Sequence, residues 1–301
     1  MDATKLKTAL LARCPALELR EGEALSRHTA FAIGGPAALL ALPKTMQELT
    51  DCLAVCRQAG ERPVILGAGT NVLAPDEGLP RLVVKTRGLE QITLTDRGTI
   101  LADCGATLAR LARFALEQGL TGLEFAQGIP GTVGGGLVMN AGAYGGELCQ
   151  SAVRTRVLEP DGTVTDYEGE AQGFGYRRSA FQGRDCVILQ GEFALTPGDP
   201  AQIRSTMEEL AARRRASQPL ELPSAGSTFK RPATGYAAAL IQQAGLKGLT
   251  VGGAQVSEKH AGFVVNVGGA TAADVRELMR QVQAAVKQQF DVMLEPEVRL
   301  L

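Results

Sequence analysis

Glycine, serine, arginine and glutamate carry the chemistry of this 301-residue chain, through where they stand and what surrounds them. Residues 128 to 146, GIPGTVGGGLVMNAGAYGG, hold eight glycines in nineteen positions and no charge before Glu147. Glycine supplies positive φ and admits a neighbour where a Cβ would collide, at an entropic cost that a plain connector has no reason to bear. Successive backbone N–H groups in turns form anion-binding concavities suited to a pyrophosphate, and small apolar residues between them suit a flat ring. The plainer reading is a glycine-rich segment packed on its own sheet. A second glycine turn, GAGTN at 67 to 71, fails as a dinucleotide fingerprint, because GxGxxG needs glycine where the chain has Val72. Two such turns, each after an apolar segment, suggest two loops closing on one extended ligand.

Ser227 and Lys230 lie in AGSTFKRP, Arg177 and Arg178 in GYRRSAF, and Glu295 and Glu297 in LEPEVR. Read alone, Ser227 is a turn or cap residue, either arginine is a surface charge as readily as an anion clamp, and the two acids are edge-strand charges. In an extended strand residues 295 and 297 share a face, with Pro296 fixing their relation. His260, beside the apolar FVVN, reads as a hydrogen-bonded structural residue. The only other histidine is His28, which leaves little material for a zinc site or a relay triad, and no metal is expected.

Elements must hold these residues. TMQELTDCLAVCRQAG (45 to 60) predicts a helix with a capping box at Thr45 and Glu48, and Cys52 and Cys56 on its apolar face pack as small hydrophobes. PVILGAGTNVL (63 to 73) predicts a strand running into a glycine turn, and TLARLARFALEQG (107 to 119) a second helix from Thr107 to Gly119. Residues 148 to 195 read as short antiparallel strands around a turn at Asp161 and Gly162. TPGDP punctuates at 196 to 200, followed by a helix with RRR at 213 to 215. The last hundred residues predict a helix at 236 to 245, strands within 252 to 268, a helix from Thr271 to Phe290 and a closing strand over 291 to 301.

The totals agree with a globular enzyme of small molecules. Hydrophobic residues make up 45% and charged residues 21%, with a net charge of −1, so nothing directs the chain to nucleic acid or an acidic membrane. The six cysteines lack a CxxC pair, and the N-terminus lacks the apolar run of a signal peptide, so a reducing cytoplasm is expected.

Seven segments in order, IGGPA (33 to 37), LGAGTNVL (66 to 73), GIPGTVGG…MNAGAYG (128 to 145), GYRRSAF (175 to 181), AGSTFKRP (225 to 232), SEKHAGFVVN (257 to 266) and LEPEVR (294 to 299), resemble the UDP-N-acetylenolpyruvoylglucosamine reductase (MurB) family of bacterial cell-wall synthesis. The resemblance implies an α+β protein. A two-lobed FAD-binding domain of the vanillyl-alcohol-oxidase type, residues 1–200 split near 80, would precede a C-terminal α/β substrate-binding domain, residues 201–301.

It further implies a reaction in which NADPH passes hydride to FAD, and FAD to the enolpyruvyl group of UDP-N-acetylglucosamine enolpyruvate, giving UDP-N-acetylmuramate for peptidoglycan. Ser227 matches the family's proton donor, Arg177 the arginine on the substrate carboxylate, and Glu297 the catalytic glutamate. Gly67, Ala68, Gly69, Thr70, Asn71, Val72, Gly128, Gly131, Thr132, Gly135, Gly136, Asn140 and Gly142 match cofactor-binding positions, and Tyr144, Tyr176, Lys230 and His260 substrate-binding ones. Arg231 stands where many members have asparagine, and the chain is similar to the short subtype without a tyrosine-bearing lid. A monomer acting on small molecules is expected. The rivals are a sugar or alcohol oxidase of the same fold, which often tethers its flavin through a histidine absent from both glycine segments, and a flavin-binding relative without catalysis, which would need none of Ser227, Arg177 and Glu297.

Overall fold

Threonine caps start four of the helices. In the computed structural model, which describes residues 2–301, α1 (Ala3–Arg13), α2 (Met46–Gln58), α3 (Leu108–Glu117), α4 (Val133–Met139), α5 (Pro200–Ser217), α6 (Ala237–Gln243) and α7 (Ala272–Phe290) alternate with strands. The Thr45 and Thr107 hydroxyls accept the N–H groups of Glu48 and Arg110 at 3.1 and 3.2 Å, satisfying donors that a first helical turn leaves open. The return half of the expected capping box at α2 lands one residue early, on the Lys44 N–H at 2.6 Å from Glu48. At α7 the box is complete, Thr271 accepting from Asp274 and Asp274 from Thr271.

The chain divides into two compact units. The first gathers the residues up to Glu21, Leu39–Ala68 and Arg81–Arg214; the second gathers Gly22–Ala38, Gly69–Pro80 and Arg215–Leu301. The expected boundary at 200 instead meets the start of α5. Pro200 is that helix's first residue, where its missing N–H costs nothing, so the helix runs on past 214. Segments 22–38 and 69–80 join the C-terminal residues because Phe31, Ile33 and Leu73 are buried in one core with Val256, Val264, Leu278 and Val282.

In the first unit, Val164–Glu168, Ala152–Leu158, Val187–Phe193, Ile100–Asp103 and Ile92–Leu94 form an antiparallel sheet in that order. Its Asp161–Gly162 turn closes as expected, Asp161 Oδ1 accepting the Thr163 N–H at 2.8 Å. Cys52 and Cys56 are buried in the same core as Leu49, Leu82 and Leu111. The strand expected over 63 to 73 is shorter: Val64–Leu66 pairs in parallel with residues 83–85, and Val72–Leu73 is a separate strand beyond the glycine turn.

In the second unit, Ser224–Ser227, Phe263–Asn266, Ala254–Val256 and Thr250–Val251 form an antiparallel sheet in that order. α7 buries Val275, Leu278, Val282 and Val286 completely, each worth about 1.5–3 kcal/mol against exposure. The Asp76 carboxylate accepts the Ala272 and Ala273 N–H groups at 2.7 and 3.0 Å, which fastens segment 69–80 to the start of α7. The closing strand expected over 291 to 301 contracts to Arg299–Leu300, paired in parallel with Val72–Leu73. Pro296 has no N–H for a ladder, and only a single bridge to Phe229 marks the residues before it. Among the described residues no helix is long and apolar enough to cross a membrane.

Candidate active site

Within the first unit, the glycine run is largely a helix. Thr132 is buried and caps α4, its hydroxyl accepting the Gly135 N–H at 3.4 Å. The Val133 and Gly134 N–H groups donate to Ala106 and Cys104 carbonyls, both at 2.8 Å, so neither is left for a phosphate. A Cβ on Gly136 would stand 2.9 Å from Leu148 Cδ1, and on Gly134 3.0 Å from the Cys104 Cβ. These two glycines allow close packing, as the plainer reading holds. Gly135 differs: a Cβ there would meet nothing nearer than Thr132 Oγ1 at 3.5 Å. Its outward face is open. The two glycine segments do meet, since a Cβ on Gly67 would stand 2.4 Å from Thr132 Oγ1.

Asn140 is a correction to the expected cofactor set. It ends α4 in the left-handed conformation and is fully buried, its amide donating to Glu147 Oε2 and the Gly175 carbonyl and its oxygen accepting the Cys149 N–H. That leaves no surface for a ligand.

Two tight turns follow from those anchors. Gly142–Ala143 and Gly146–Glu147 pair as a hairpin around Tyr144 and Gly145, both at positive φ, +53° and +87°. That combination suits the right-handed twist of the hairpin, and glycine tolerates it where tyrosine is strained. Gly175 and Arg178 exchange both backbone hydrogen bonds around Tyr176 and Arg177, with Arg177 at φ +51°. Strain at two nominated residues is of the kind that functional sites retain. Tyr144 and Tyr176 stand 41% and 50% exposed. Arg177 Nη2 donates to the Gly142 carbonyl at 3.1 Å, joining the turns, while Arg178 is exposed.

The RRR run, read in the sequence only as the basic end of a helix, supplies two residues to this cluster. Arg213 lies 5.2 Å from the Tyr144 ring centroid. Arg214 packs against Gly128, where a Cβ would meet its Cδ at 3.1 Å, and its buried Nε has no acceptor among the described residues. Burial pushes its pKa down, against the opposing field of Tyr144. A helical charge run gives no sign of which member turns inward; a Gly128 needing room for a side chain was the one available clue.

Within the second unit, Ser227 follows Gly226, which sits at φ +73° where the pairing with Phe263–Asn266 shifts register. Such a bulge re-aims the next side chain, and Ser227 is exposed. The Glu297 N–H donates to the Thr228 carbonyl at 2.8 Å, so the proton-donor candidate and the acid candidate lie on paired backbone. Glu297 is half-buried; Glu295 is 69% exposed and takes the Lys230 ammonium as an ion-pair partner. Lys230 is thus held by the acid beside the catalytic candidate. The Gly69, Thr70 and Asn71 N–H groups meet no acceptor among the described residues. His28, distant in sequence, abuts Gly69, whose Cβ would stand 2.2 Å from its carbonyl oxygen, so a histidine does lie beside this glycine turn. Its ring nitrogen Nε2 faces Glu23 Oε1 at 2.9 Å.

His260 has structural duties. Nδ1 accepts the Gly262 N–H at 3.1 Å, and the ring packs edge-on against Phe263 with centroids 5.0 Å apart. Burial lowers its pKa below the ordinary 6.5, so the fold holds the neutral ring. The unfolded chain then binds the extra proton first, and stability present above pH 6.5 is lost as pH falls below it toward the folded value. His260→Asn, which keeps an acceptor for Gly262, is expected to flatten this fall. Urea midpoints at pH 7.5 and 5.5 check it; equal slopes in variant and wild type would exclude His260 as the source.

These observations fit FAD. Within the second unit, the Gly69, Thr70 and Asn71 N–H groups, without acceptors among the described residues, suit a phosphate; within the first, taken by itself, Gly135 presents an open face and the unmatched Arg214 Nε suits an anionic acceptor.

Two family models match the chain: an FAD binding domain over residues 37–168, and the C-terminal domain of UDP-N-acetylenolpyruvoylglucosamine reductase over residues 218–301. The UDP-N-acetylenolpyruvoylglucosamine reductase of Caldanaerobacter subterraneus is 44% identical over 288 residues, covering 94% of this chain and 95% of that protein. That of Levilactobacillus brevis is 46% identical over 287 residues, covering 95% and 94%. The crystal structure of the MurB reductase from Thermus caldophilus superposes with a TM-score of 0.79 at 34% identity, over 94% of this chain and 98% of that one.

Proposed function

This chain belongs to the UDP-N-acetylenolpyruvoylglucosamine reductase family, and from that premise we propose that it reduces the enolpyruvyl group of UDP-N-acetylglucosamine enolpyruvate at the expense of NADPH, with Ser227 as proton donor. It is an FAD-containing oxidoreductase of peptidoglycan synthesis. Residues 37–168 match an FAD binding domain and residues 218–301 the reductase's C-terminal domain, and the protein would act as a cytoplasmic monomer.

Bound FAD would supply the hydride chemistry between NADPH and the enolpyruvyl group. The chain's own residues do the rest. Gly69, Thr70 and Asn71 offer backbone N–H groups to the pyrophosphate, and Gly135 leaves room for the cofactor's flat body. Hydride addition puts carbanion character beside the substrate carboxylate. The planar, always-charged Arg177 fork is suited to hold that carboxylate and the enolate it becomes. Ser227 Oγ gives its proton to the adjacent carbon; a hydroxyl is a weak acid, and an acceptor as basic as an enolate makes it sufficient. Glu297 is the acidic side chain on the backbone paired with that beside Ser227. Tyr144 and Tyr176, on strained turns, and Lys230 contact the rest of the nucleotide-sugar.

One observation carries this reading: the glycine bulge that exposes Ser227 stands where the Thr228 carbonyl takes the Glu297 N–H. The test is anaerobic. Protein reduced with NADPH should recover its oxidised flavin absorbance when UDP-N-acetylglucosamine enolpyruvate is added. A flavin that stays reduced until air is admitted would make the protein an oxidase instead.

A further inference from the structure

Glu297 is held from two sides. Its N–H donates to the Thr228 carbonyl at 2.8 Å, while its own carbonyl accepts the side-chain amide of Asn71 at 3.3 Å. The Asn71 carbonyl in turn accepts the Arg299 N–H at 3.0 Å, and the Leu73 carbonyl accepts the Leu301 N–H at 3.1 Å. The parallel pairing of Val72–Leu73 with Arg299–Leu300 begins at this point. Before it, Pro296 offers no N–H, and the Thr228 N–H is already given to Gly262. No ladder partner therefore reaches the Glu297 carbonyl; the Asn71 side chain takes that place. Asn71 thus stands between the unpaired N–H groups of 69–71 and the backbone that presents the acid.

We propose that Asn71 is a positioning residue for Glu297, its carboxamide fixing the backbone from which the acid is presented, so that segment 69–73 and the catalytic glutamate move as one piece. This rests on the reading of Glu297 as a catalytic residue. Catalytic groups must be held within about 0.5 Å of their working geometry, and a displacement of about 1 Å can cost roughly 100-fold. One N–H of the Asn71 carboxamide is committed to the Glu297 carbonyl, so the side chain serves the acid while the backbone N–H belongs to the glycine turn.

The test compares Asn71→Asp, isosteric but presenting oxygen to the Glu297 carbonyl, with Asn71→Ala, Glu297→Ala and the Asn71→Ala/Glu297→Ala double variant. Each is purified with FAD, its flavin content measured, and its reduction by NADPH and reoxidation by substrate followed separately across pH 5.5 to 9. Both Asn71 variants should keep flavin and lose reoxidation far more than reduction, by about 10- to 100-fold, with a displaced pH profile. The double variant should be no slower than Glu297→Ala. Loss of flavin in both Asn71 variants, equal slowing of both steps, or additive effects in the double variant would overturn the positioning role. Normal reoxidation in Glu297→Ala would instead remove the catalytic reading of Glu297, and this proposal with it.

Discussion

Ser227→Ala is expected to accept reduction by NADPH at close to the wild-type rate and to reoxidise with the enolpyruvyl substrate roughly 10²- to 10⁴-fold more slowly, the range that a positioned proton donor supplies. The asymmetry is what matters. Ser227 is exposed, and its hydroxyl makes no hydrogen bond among the described residues, so removing one oxygen leaves no buried partner unsatisfied and opens no cavity. Gly226 and not Ser227 supplies the unusual backbone, so alanine keeps the bulge. Fold and cofactor retention should therefore be unchanged. Rapid-mixing spectrophotometry of each half-reaction decides: equal loss in both steps would make Ser227 a structural residue, and no loss in either would move the proton donor elsewhere.

Gly135→Val is expected to weaken FAD binding about 100-fold while leaving the apoprotein as stable as before. The protein itself has room, because a Cβ at 135 meets only the Thr132 hydroxyl at ordinary contact distance. Valine is also a somewhat better helix former than glycine, so α4 gains a few tenths of a kcal/mol. What valine would meet is the cofactor, and overpacking by two or three carbons costs about 1–3 kcal/mol. Gly136→Val is the contrast, since Leu148 and Leu108 already fill that space and the fold itself should suffer. Titrating flavin-free protein with FAD and melting it without FAD separates the two effects. A fully loaded yellow Gly135→Val would show that this glycine serves no cofactor.

Local chemistry wrote the helix starts into the sequence. Thr45, Thr107 and Thr271 each cap a helix because a hydroxyl can accept an N–H three residues on, whatever the rest of the fold does. The Asp161–Gly162 turn is legible for the same reason. Burial is settled by distant parts of the chain, and there the sequence is silent. Nothing in RRR marks Arg214 as the guanidinium packed on Gly128, nor Asn140 as a fully buried cap among residues that would suit a cofactor loop. Gly134 and Gly135 are neighbours of one type, yet one faces the Cys104 strand end and the other faces open space. The closing strand was overestimated because its apolar pattern continues through Pro296, while pairing stops where the N–H is missing. Of the candidate site, residue types and motif order were legible; the strained turns at Tyr144 and Arg177 and the contact of His28 with Gly69 were not.

The bond between Asn71 and Glu297 spans 226 positions of sequence, which sets an order of events during biosynthesis. At about 5–20 residues per second, roughly 10 to 45 s separate the translation of the glycine turn from that of the strand that locks it. Through that interval Val72–Leu73 has no parallel partner, and the Asn71 amide has no Glu297 carbonyl to meet. A glycine turn near the start of the chain is thus completed by a segment made 226 positions later.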